Sequence, residues 1–395
     1  MARGSVKKRY KNTWNVILNL GYKVNDKGQR VRNQKWITVK GTKREAERKL
    51  AELLYKANQN EFVEPNKLTL GEWFDHWLET NIKPPATRPR TYETYEIVIR
   101  RHLKPELGKI RLQEFDAIHL EQYYRKKGKK LSQTTLKLHH AVVSKALKSA
   151  VLKKYVQSNV AALVENKPKV EEKPPGAVVN CWEKEEVQKF LKEARKQDAQ
   201  TVALFALALD TGGRRAELCG LKWQNVDLNR GIVQIIEQLV PFERKLHFGS
   251  PKNGKPRTVH ISPETVALLN QHRKEQLELR MRNGKTYADQ DLVFARQWKH
   301  VSWKKHSLGD PLNMGVVSRD FYQLIQELEL KRITFHGLRH TCATLLLQAG
   351  IPVHVVSERL GHKGVEITMN VYGHVLPSMH EEVKAELSGL LYGNR

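Results

Sequence analysis

Three short motifs toward the C-terminal end contain the residue types that can break a phosphodiester bond. They are HGLRH at 336–340, LGH at 360–362 and MNVYGH at 369–374. His336 and His362 supply imidazoles, Arg339 supplies a guanidinium and Tyr372 supplies a phenol. Guanidinium and imidazole groups hold phosphate oxygens, and a hydroxyl can attack the phosphorus atom. The motifs therefore predict attack on a phosphodiester by a tyrosine without a metal ion.

Two upstream segments place charged residues that would complete such a site. Arg214 lies in TGGRRAEL at 211–218, where a turn after an apolar helix would aim its guanidinium outward. Glu217 would orient that guanidinium, although a carboxylate near a helix start is also favoured by the helix dipole. Lys252, in GSPKNGKPR, is a turn lysine that could protonate a leaving oxygen. Because Lys255 lies close by, a turn lysine without a role stays the alternative.

Simpler interpretations exist for the C-terminal motifs. His336 and His340 are spaced i and i+4, as in a zinc-binding helix, but Gly337 stands where that motif requires glutamate. A lone histidine such as His362, or a tyrosine such as Tyr372 near a helix, is ordinarily structural. The joint spacing of the motifs favours a functional site.

The charge of the chain indicates a polyanionic partner. Lys and Arg number 69 against 42 Asp and Glu, which gives a formal net charge of +27. Nucleic acid is the first candidate and an anionic membrane surface the second, while a generally basic protein is the plain alternative. The longest apolar run, at 202–209, is too short to span a bilayer and predicts a buried helix.

Cysteine usage and the N-terminal sequence indicate a reducing compartment. The three cysteines are far apart, with no spacing typical of a disulfide framework or a metal site. The N-terminal residues lack the apolar stretch of a signal peptide. We expect a cytosolic protein.

The elements that would position the site fall into three predicted domains. Residues 1–65 combine β-rich segments at 13–22 and 31–39, edged by basic residues, with a helix opened by a Thr42–Glu45 capping box. Residues 66–165 show helical apolar spacing, including a helix from Thr91 that stops before Pro105 and Gly108, and one capped by Ser132.

A charged, proline-rich linker at 166–177 precedes the largest predicted domain, 178–395. That domain is predicted to be mostly helical, with strands at 231–240 and 257–261 and a basic turn at 251–256 between them. A last capping box, Ser378 and Glu381, opens a C-terminal helix.

These motifs, with the TG-x-R-x-x-E-L pattern around Arg214, resemble the tyrosine recombinase (phage integrase) family. The resemblance is strongest over 202–374, moderate over 67–165 and weaker over 1–65. It implies a multidomain, mainly α fold: a small three-stranded sheet plus helix that binds arm-type DNA, a helical core-binding domain, and a mixed, mostly α catalytic domain.

The resemblance also implies an activity, that of a site-specific recombinase, an integrase of the phage or conjugative-transposon type. Tyr372 would attack a scissile phosphate, leaving a 3′-phosphotyrosine and a free 5′-hydroxyl, and no metal or other cofactor would be needed. Glu217 would support a set of catalytic residues: Arg214, Lys252, His336, Arg339, His362 and the nucleophile Tyr372.

Several partners follow from the same resemblance. They are double-stranded attachment sites of core and arm type, three further copies of the chain in a homotetramer, and accessory proteins that bend DNA or set direction. The enzyme would integrate and excise a mobile element in the bacterial cytosol, with no membrane role. Two alternatives stay open: a type IB-like topoisomerase and a catalytically silent DNA-binding regulator. The C-terminal helix would pack on its own domain or on a neighbouring subunit.

Overall fold

The computed structural model divides into two compact units, Met1–Glu171 and Glu172–Arg395, here called the N-terminal and C-terminal units. The structure describes residues 2–24, 28–58, 63–170, 180–242, 245–251, 255–300, 307–373 and 378–393. None of the helices in these stretches is long and apolar enough to cross a bilayer.

The N-terminal unit begins with an antiparallel three-stranded sheet and one helix. β1 (Arg3–Tyr10) pairs with β2 (Thr13–Val24), and β2 pairs with β3 (Arg30–Lys40). The helix α1 (Lys43–Asn58) packs on one face of the sheet. The predicted sheet and its following helix are therefore confirmed.

Alternation along the strands explains why only one face of this sheet is covered. Successive side chains point to opposite faces, so Val16 and Leu18 are buried against α1. The predicted capping box also forms, because the Glu45 N–H donates to Thr42 Oγ1 and the Glu45 carboxylate accepts from the Thr42 N–H. The residues that the structure describes leave the other face open, where Tyr22 and Trp36 are both more than half exposed.

Helices make up the rest of the N-terminal unit. They are α2 (Leu70–Trp77), α3 (Pro89–Val98), α4 (Lys104–Leu107), α5 (Ala117–Gly128) and α6 (Gln133–Leu152). Trp73 lies at the centre of their core, and its indole N–H donates to the Ala146 carbonyl at 3.0 Å. Ser132 caps α6 as predicted, by accepting from the Thr135 N–H.

Of the two residues predicted to stop the helix from Thr91, Pro105 does not stop the helical path, whereas Gly108 caps its end after Leu107. A π-helical turn, Ile99–Leu103, joins α3 to α4, and the Lys104 N–H donates to the Ile99 carbonyl. Pro105 then falls in the first positions of α4. Since N–H groups there have no partner within the helix, the missing donor costs little.

The C-terminal unit contains the remaining strands and helices. They are α7 (Lys184–Ala194), α8 (Ala199–Thr211), α9 (Arg215–Cys219), β4 (Val226–Asp227), β5 (Ile232–Ile235), β6 (Gln238–Phe242), β7 (Lys245–Gly249), β8 (Arg257–His260), α10 (Pro263–Asn283), α11 (Met314–Glu327), α12 (Phe335–Gln348), α13 (Val353–Leu360), α14 (Val365–Tyr372) and α15 (Ser378–Tyr392). The mainly helical, multidomain fold class is confirmed.

The core of this unit forms around α8. Nearly every residue of α8 is buried, as its apolar run predicts. Its Phe205 packs in an aromatic cluster with Phe190, Phe321 and Phe335. This packing fixes the C-terminal end of α8, from which the first site residue follows.

The strands of the C-terminal unit depart from the sequence prediction. The single strand predicted at 231–240 is two strands, β5 and β6, which belong to different sheets. β5 lies between β4 and β8, whereas β6 pairs with β7. The sequence did not predict β7, because KLHFG is short and carries only two apolar side chains.

Candidate active site

Arg214 lies at the start of α9 because the chain turns sharply after α8. Gly212 ends α8 with φ +60°, a left-handed conformation that glycine adopts without strain. Arg214 is then the residue that caps α9. Its Nη1 donates to Glu217 Oε1 at 2.7 Å, and its backbone N–H donates to Glu217 Oε2 at 2.9 Å. Glu217 thus fixes the direction of the Arg214 guanidinium.

A second arginine, Arg257, holds the other side of the same carboxylate. Its Nη2 lies 2.6 Å from Glu217 Oε2, and its Nε donates to the Arg359 carbonyl at 2.9 Å. Glu217 has no solvent-exposed surface, and Arg257 is buried as well. Burial would raise the pKa of Glu217, but the hydrogen bond and charge of Arg257 and the charge of Arg214 lower it to about 2.

Replacing Glu217 with glutamine is expected to destabilise the protein by about 3 kcal/mol, since the change leaves two guanidinium groups without a buried carboxylate. The folded pKa of Glu217 is lowered, so its stabilisation is present at neutral pH and is lost as pH falls from about 4.5 toward 2. Glu217→Gln should therefore lose less stability than wild type in that range. Denaturant unfolding at pH 7 and at low pH measures both effects.

The matched control is Glu275→Gln, because Glu275 is exposed on α10. This variant is expected to stay within about 0.5 kcal/mol of wild type. Equal unfolding free energies for Glu217→Gln and Glu275→Gln would contradict the bridging role of Glu217.

Arg339 is the most deeply buried cation of the cluster. It lies on α12, only 2% exposed, and its Nη1 donates to the Gly212 carbonyl at 2.9 Å. Among the residues that the structure describes, no group bonds to its buried Nη2. Burial and the charges of Arg214 and Arg257 lower the pKa of Arg339 to about 9, so the guanidinium remains charged at neutral pH. A buried donor of this kind is suited to an anionic ligand.

His336 lies one turn before Arg339 on α12, at the solvent-exposed side of the site. It lines a cleft of about 490 Å³ together with Arg215 and Arg332. Its ring stands perpendicular to that of His340, with ring centroids 4.9 Å apart. The two histidines considered for a metal-binding helix thus meet edge to face.

His362 follows the end of α13, where Gly361 adopts φ +65°. A Cβ at Gly361 would lie 2.9 Å from the Arg257 side chain, so this turn needs glycine for space and conformation. His362 Nδ1 is 2.7 Å from Thr368 Oγ1. Burial, followed by the charges of Arg339, Arg214 and Arg257, lowers the pKa of His362 to about 4. His362 is therefore neutral at pH 7 and can offer a hydrogen bond without adding charge.

Tyr372, the last residue of α14, is only 1% exposed. Its ring packs among aliphatic side chains of α12 and α13, and its hydroxyl lies 2.7 Å from His340 Nδ1. Burial raises the pKa of Tyr372, and the charge of Arg339 opposes that shift only partly. The neighbouring cations therefore do not make Tyr372 a phenolate in this state, because desolvation outweighs their attraction.

The structure thus brings Arg214, Glu217, Arg339, His362 and Tyr372 into one cluster, with His336 joined to it through His340. The predicted general acid, Lys252, lies outside the described residues, as does His374.

Sequence reasoning did not assign functions to Arg257 and His340. The one local signal for Arg257 is its position in β8. Arg257 and Val259 alternate with exposed residues and are both buried, and an apolar residue is usual at such a position. His340 was noticed only as half of a metal-binding spacing. Both roles depend on partners more than 30 residues away along the chain, so local sequence patterns do not reveal them.

Comparison with known sequences identifies the family. The pattern of the phage integrase family matches residues 181–379, and that of the phage integrase N-terminal SAM-like domain matches residues 69–128. The first match alone spans half of the chain, so the chain belongs to the phage integrase family. Membership confirms the predicted function, site-specific DNA recombination by a tyrosine-type enzyme.

Two curated relatives match over most of their length. A protein named tyrosine recombinase XerC-like, from Caldanaerobacter subterraneus subsp. tengcongensis, is 28% identical over 373 residues, covering 88% of this chain and 90% of that protein. The ICEBs1 integrase of Bacillus subtilis is 24% identical over 311 residues, covering 77% of this chain and 79% of that protein.

Solved structures share the fold. The Tn1549 transposon integrase in complex with transposon right end DNA aligns with a TM-score of 0.62 and 18% identity, covering 82% of this chain and all of that chain. A lambda integrase dimer bound to a core site aligns with a TM-score of 0.56 and 17% identity, covering 93% and 94% of the two chains.

Proposed function

We propose that Tyr372 is the nucleophile of the recombinase and that the cluster around Arg339 binds the scissile phosphate. The observation that supports this most directly is the buried Arg339 Nη2, for which the described residues offer no partner. Arg214 lies close enough for its charge to lower the pKa of Arg339. A phosphate between the two guanidinium groups would relieve their repulsion and satisfy the Nη2 donor.

The other polar groups have separate roles in this proposal. Glu217 holds Arg214 in one orientation, and Arg257 holds the other oxygen of the Glu217 carboxylate. His336 and His362 donate hydrogen bonds to the remaining phosphate oxygens. Because His362 is neutral, it donates a directional hydrogen bond to a phosphate oxygen without adding a charge to the site.

The reaction is a transesterification in which no bond energy is lost. The Tyr372 oxygen forms a bond to phosphorus as the bond from phosphorus to the 5′ oxygen breaks, which leaves a 3′-phosphotyrosine. Lys252 gives a proton to the departing 5′ oxygen. The 5′-hydroxyl of the partner duplex then attacks the same phosphorus and releases the tyrosine, so the enzyme needs no ATP and no metal ion.

The test uses a nicked duplex containing the attachment site of the host element. Cleavage beside the nick releases a short fragment that diffuses away, so the covalent complex accumulates. A denaturing gel is expected to show protein shifted by covalently bound DNA. If folded, DNA-bound enzyme gives no such species, the proposed mechanism is wrong.

The domain roles belong to the same proposal: residues 1–65 bind arm-type DNA, 66–165 bind core DNA, 166–177 link, and 178–395 catalyse. Support for the first comes from the sheet face opposite α1, which exposes Trp36 and Tyr22. The same face carries six basic side chains, those of Arg3, Lys7, Arg9, Arg30, Arg32 and Lys40. Arg30 lies over the Tyr22 ring, 4.5 Å from its centroid. A basic, partly aromatic sheet face is suited to a DNA groove.

The assembly is proposed to be a homotetramer that integrates and excises a mobile element in the bacterial cytosol, assisted by proteins that bend DNA or set direction. Support comes from the names of similar proteins, which include a Tn1549 transposon integrase and a lambda integrase tetramer bound to a Holliday junction. The net charge of +27 is consistent with simultaneous contact to several duplex arms.

The double variant Lys7→Ala and Arg32→Ala is expected to weaken binding to a full attachment site while leaving cleavage of a core-only nicked duplex unchanged. Each lost phosphate contact should reduce the slope of log affinity against log salt concentration by about one. Binding measured over a range of salt concentrations checks this. The control, Lys43→Ala with Lys49→Ala on α1, should keep the wild-type slope. Equal slopes for both pairs would contradict arm binding by the open face.

A further inference from the structure

The hydroxyl of Tyr372 shares a hydrogen bond with His340, which is not one of the residues proposed to bind the phosphate. His340 Nδ1 lies 2.7 Å from the hydroxyl, and the two rings are 5.7 Å apart between centroids. His340 follows Arg339 directly on α12, whereas Tyr372 ends α14. Two separate helices therefore bring an imidazole nitrogen within reach of the one proton that attack must remove.

That proton has to move during the reaction. Burial keeps the Tyr372 phenol in its neutral form, and a neutral phenol is a weak nucleophile. A base that already shares a hydrogen bond with the hydroxyl can take the proton as the new bond forms. His336 is exposed and lines a cleft with Arg215 and Arg332, whereas His340 holds the hydrogen bond to the Tyr372 hydroxyl.

We propose that His340 is a catalytic residue: its Nδ1 accepts the phenolic proton of Tyr372 during cleavage and returns it during strand joining. The inference rests on the proposed function, because it requires Tyr372 to be the nucleophile. In the resting state the imidazole carries its proton on Nε2, so that Nδ1 accepts from the hydroxyl.

The proton balance closes over one cycle. In cleavage the O–H bond of Tyr372 breaks, its oxygen bonds to phosphorus, and His340 becomes an imidazolium ion. A different group protonates the departing 5′ oxygen. In joining, the 5′-hydroxyl gives its proton back to that second group as its oxygen bonds to phosphorus, the Tyr372 oxygen leaves phosphorus, and the imidazolium returns its proton to that oxygen. His340 ends each cycle neutral and needs no exchange with solvent.

The surroundings favour rapid return of that proton. Burial, followed by the charges of Arg339, Arg214 and Arg257, lowers the pKa of His362, and the same three charges disfavour a further cation nearby. His340 itself contributes to that shift, which places it within electrostatic range of the phosphate donors. An imidazolium at this point is therefore suited to a short-lived role.

The test compares His340→Asn with wild type in the nicked-duplex assay. The asparagine amide occupies about the position of Nδ1, so it preserves a hydrogen bond to the phenol but has no basicity. The initial rate of covalent complex formation should fall by about 10²–10³-fold, within the range for loss of a general base. DNA affinity should stay within about twofold. The control His260→Gln removes an exposed imidazole from β8 and should keep the wild-type rate.

A second measurement separates loss of the base from loss of positioning. Incorporating a fluorinated tyrosine at position 372 gives a phenol that ionises more readily and depends less on a base. It should accelerate His340→Asn by at least tenfold more than it accelerates wild type. A substrate with sulfur in place of the bridging 5′ oxygen removes the need for a general acid, and it should leave the His340→Asn defect in place.

The possible outcomes distinguish failure of the proposed function from failure of the role of His340. If wild type forms no covalent complex, the proposed function fails. If wild type reacts and His340→Asn keeps its rate, or if fluorination accelerates both enzymes equally, only the role of His340 is overturned. If His340→Asn does not fold, His340→Gln takes its place. The rate of covalent complex formation and its acceleration by fluorinated tyrosine are then compared with wild type in the same way.

Discussion

Replacing Tyr372 with phenylalanine is expected to reduce covalent attachment to nicked attachment-site DNA by at least about 10⁴-fold, as loss of a nucleophile does in other enzymes. Phenylalanine keeps the ring that packs among Ala343, Leu347, Val356 and Leu360 and removes only the hydroxyl. The fold and DNA affinity should therefore remain close to wild type. Quantifying the shifted protein on a denaturing gel over time measures the effect.

The control for this variant is Tyr322→Phe, which removes a hydroxyl from α11 in the same unit. Tyr322 accepts a hydrogen bond from Gln326 at its hydroxyl, on the exposed side of the helix. This change should leave the rate of attachment within a few-fold of wild type. Covalent complex in the Tyr372→Phe variant at more than about a hundredth of the wild-type rate would mean that another residue attacks the phosphate.

Replacing Arg339 with lysine should slow cleavage by about 10²–10³-fold, comparable with loss of one donor to a developing charge. Lysine keeps the positive charge but cannot hold the Gly212 carbonyl and a phosphate oxygen with two nitrogens in fixed geometry. The effect should appear in the rate of the chemical step, because Arg339 is buried and its proposed contact with DNA is the reacting phosphate alone. Single-turnover rates at saturating enzyme measure it.

The matched control is Arg195→Lys, since Arg195 is exposed at the end of α7. It should behave as wild type in both rate and affinity. If Arg339→Lys loses DNA affinity but cleaves the bound DNA at the normal rate, Arg339 serves binding in general and not the reacting phosphate.

Local sequence signals were sufficient for much of the fold. The capping box at Thr42, the cap at Ser132 and the apolar run of α8 are each encoded within a few residues, and all three form as predicted. Elements that form only by pairing with another strand were predicted less well from the sequence. β7 has little apolar content of its own and exists because β6 lies beside it.

The site shows the same division between local and distant determinants. The motifs gave the residue types, and the turn glycines Gly212 and Gly361 gave the abrupt chain reversals that bring them together. The second arginine on Glu217 could not be predicted, because Arg257 reaches that carboxylate from a strand 40 residues away. The hydrogen bond between the Tyr372 hydroxyl and His340 also depends on how two helices pack, so the spacing of residues along the sequence does not predict it.

The most direct test of the central claim is to identify the residue that becomes linked to DNA. Covalent complex trapped on nicked attachment-site DNA would be digested with nuclease and protease, and the modified peptide sequenced by mass spectrometry. The expected result is a phosphonucleotide on Tyr372, attached through the 3′ end of the cleaved strand. Modification of any other side chain, or attachment through a 5′ phosphate, would contradict the account.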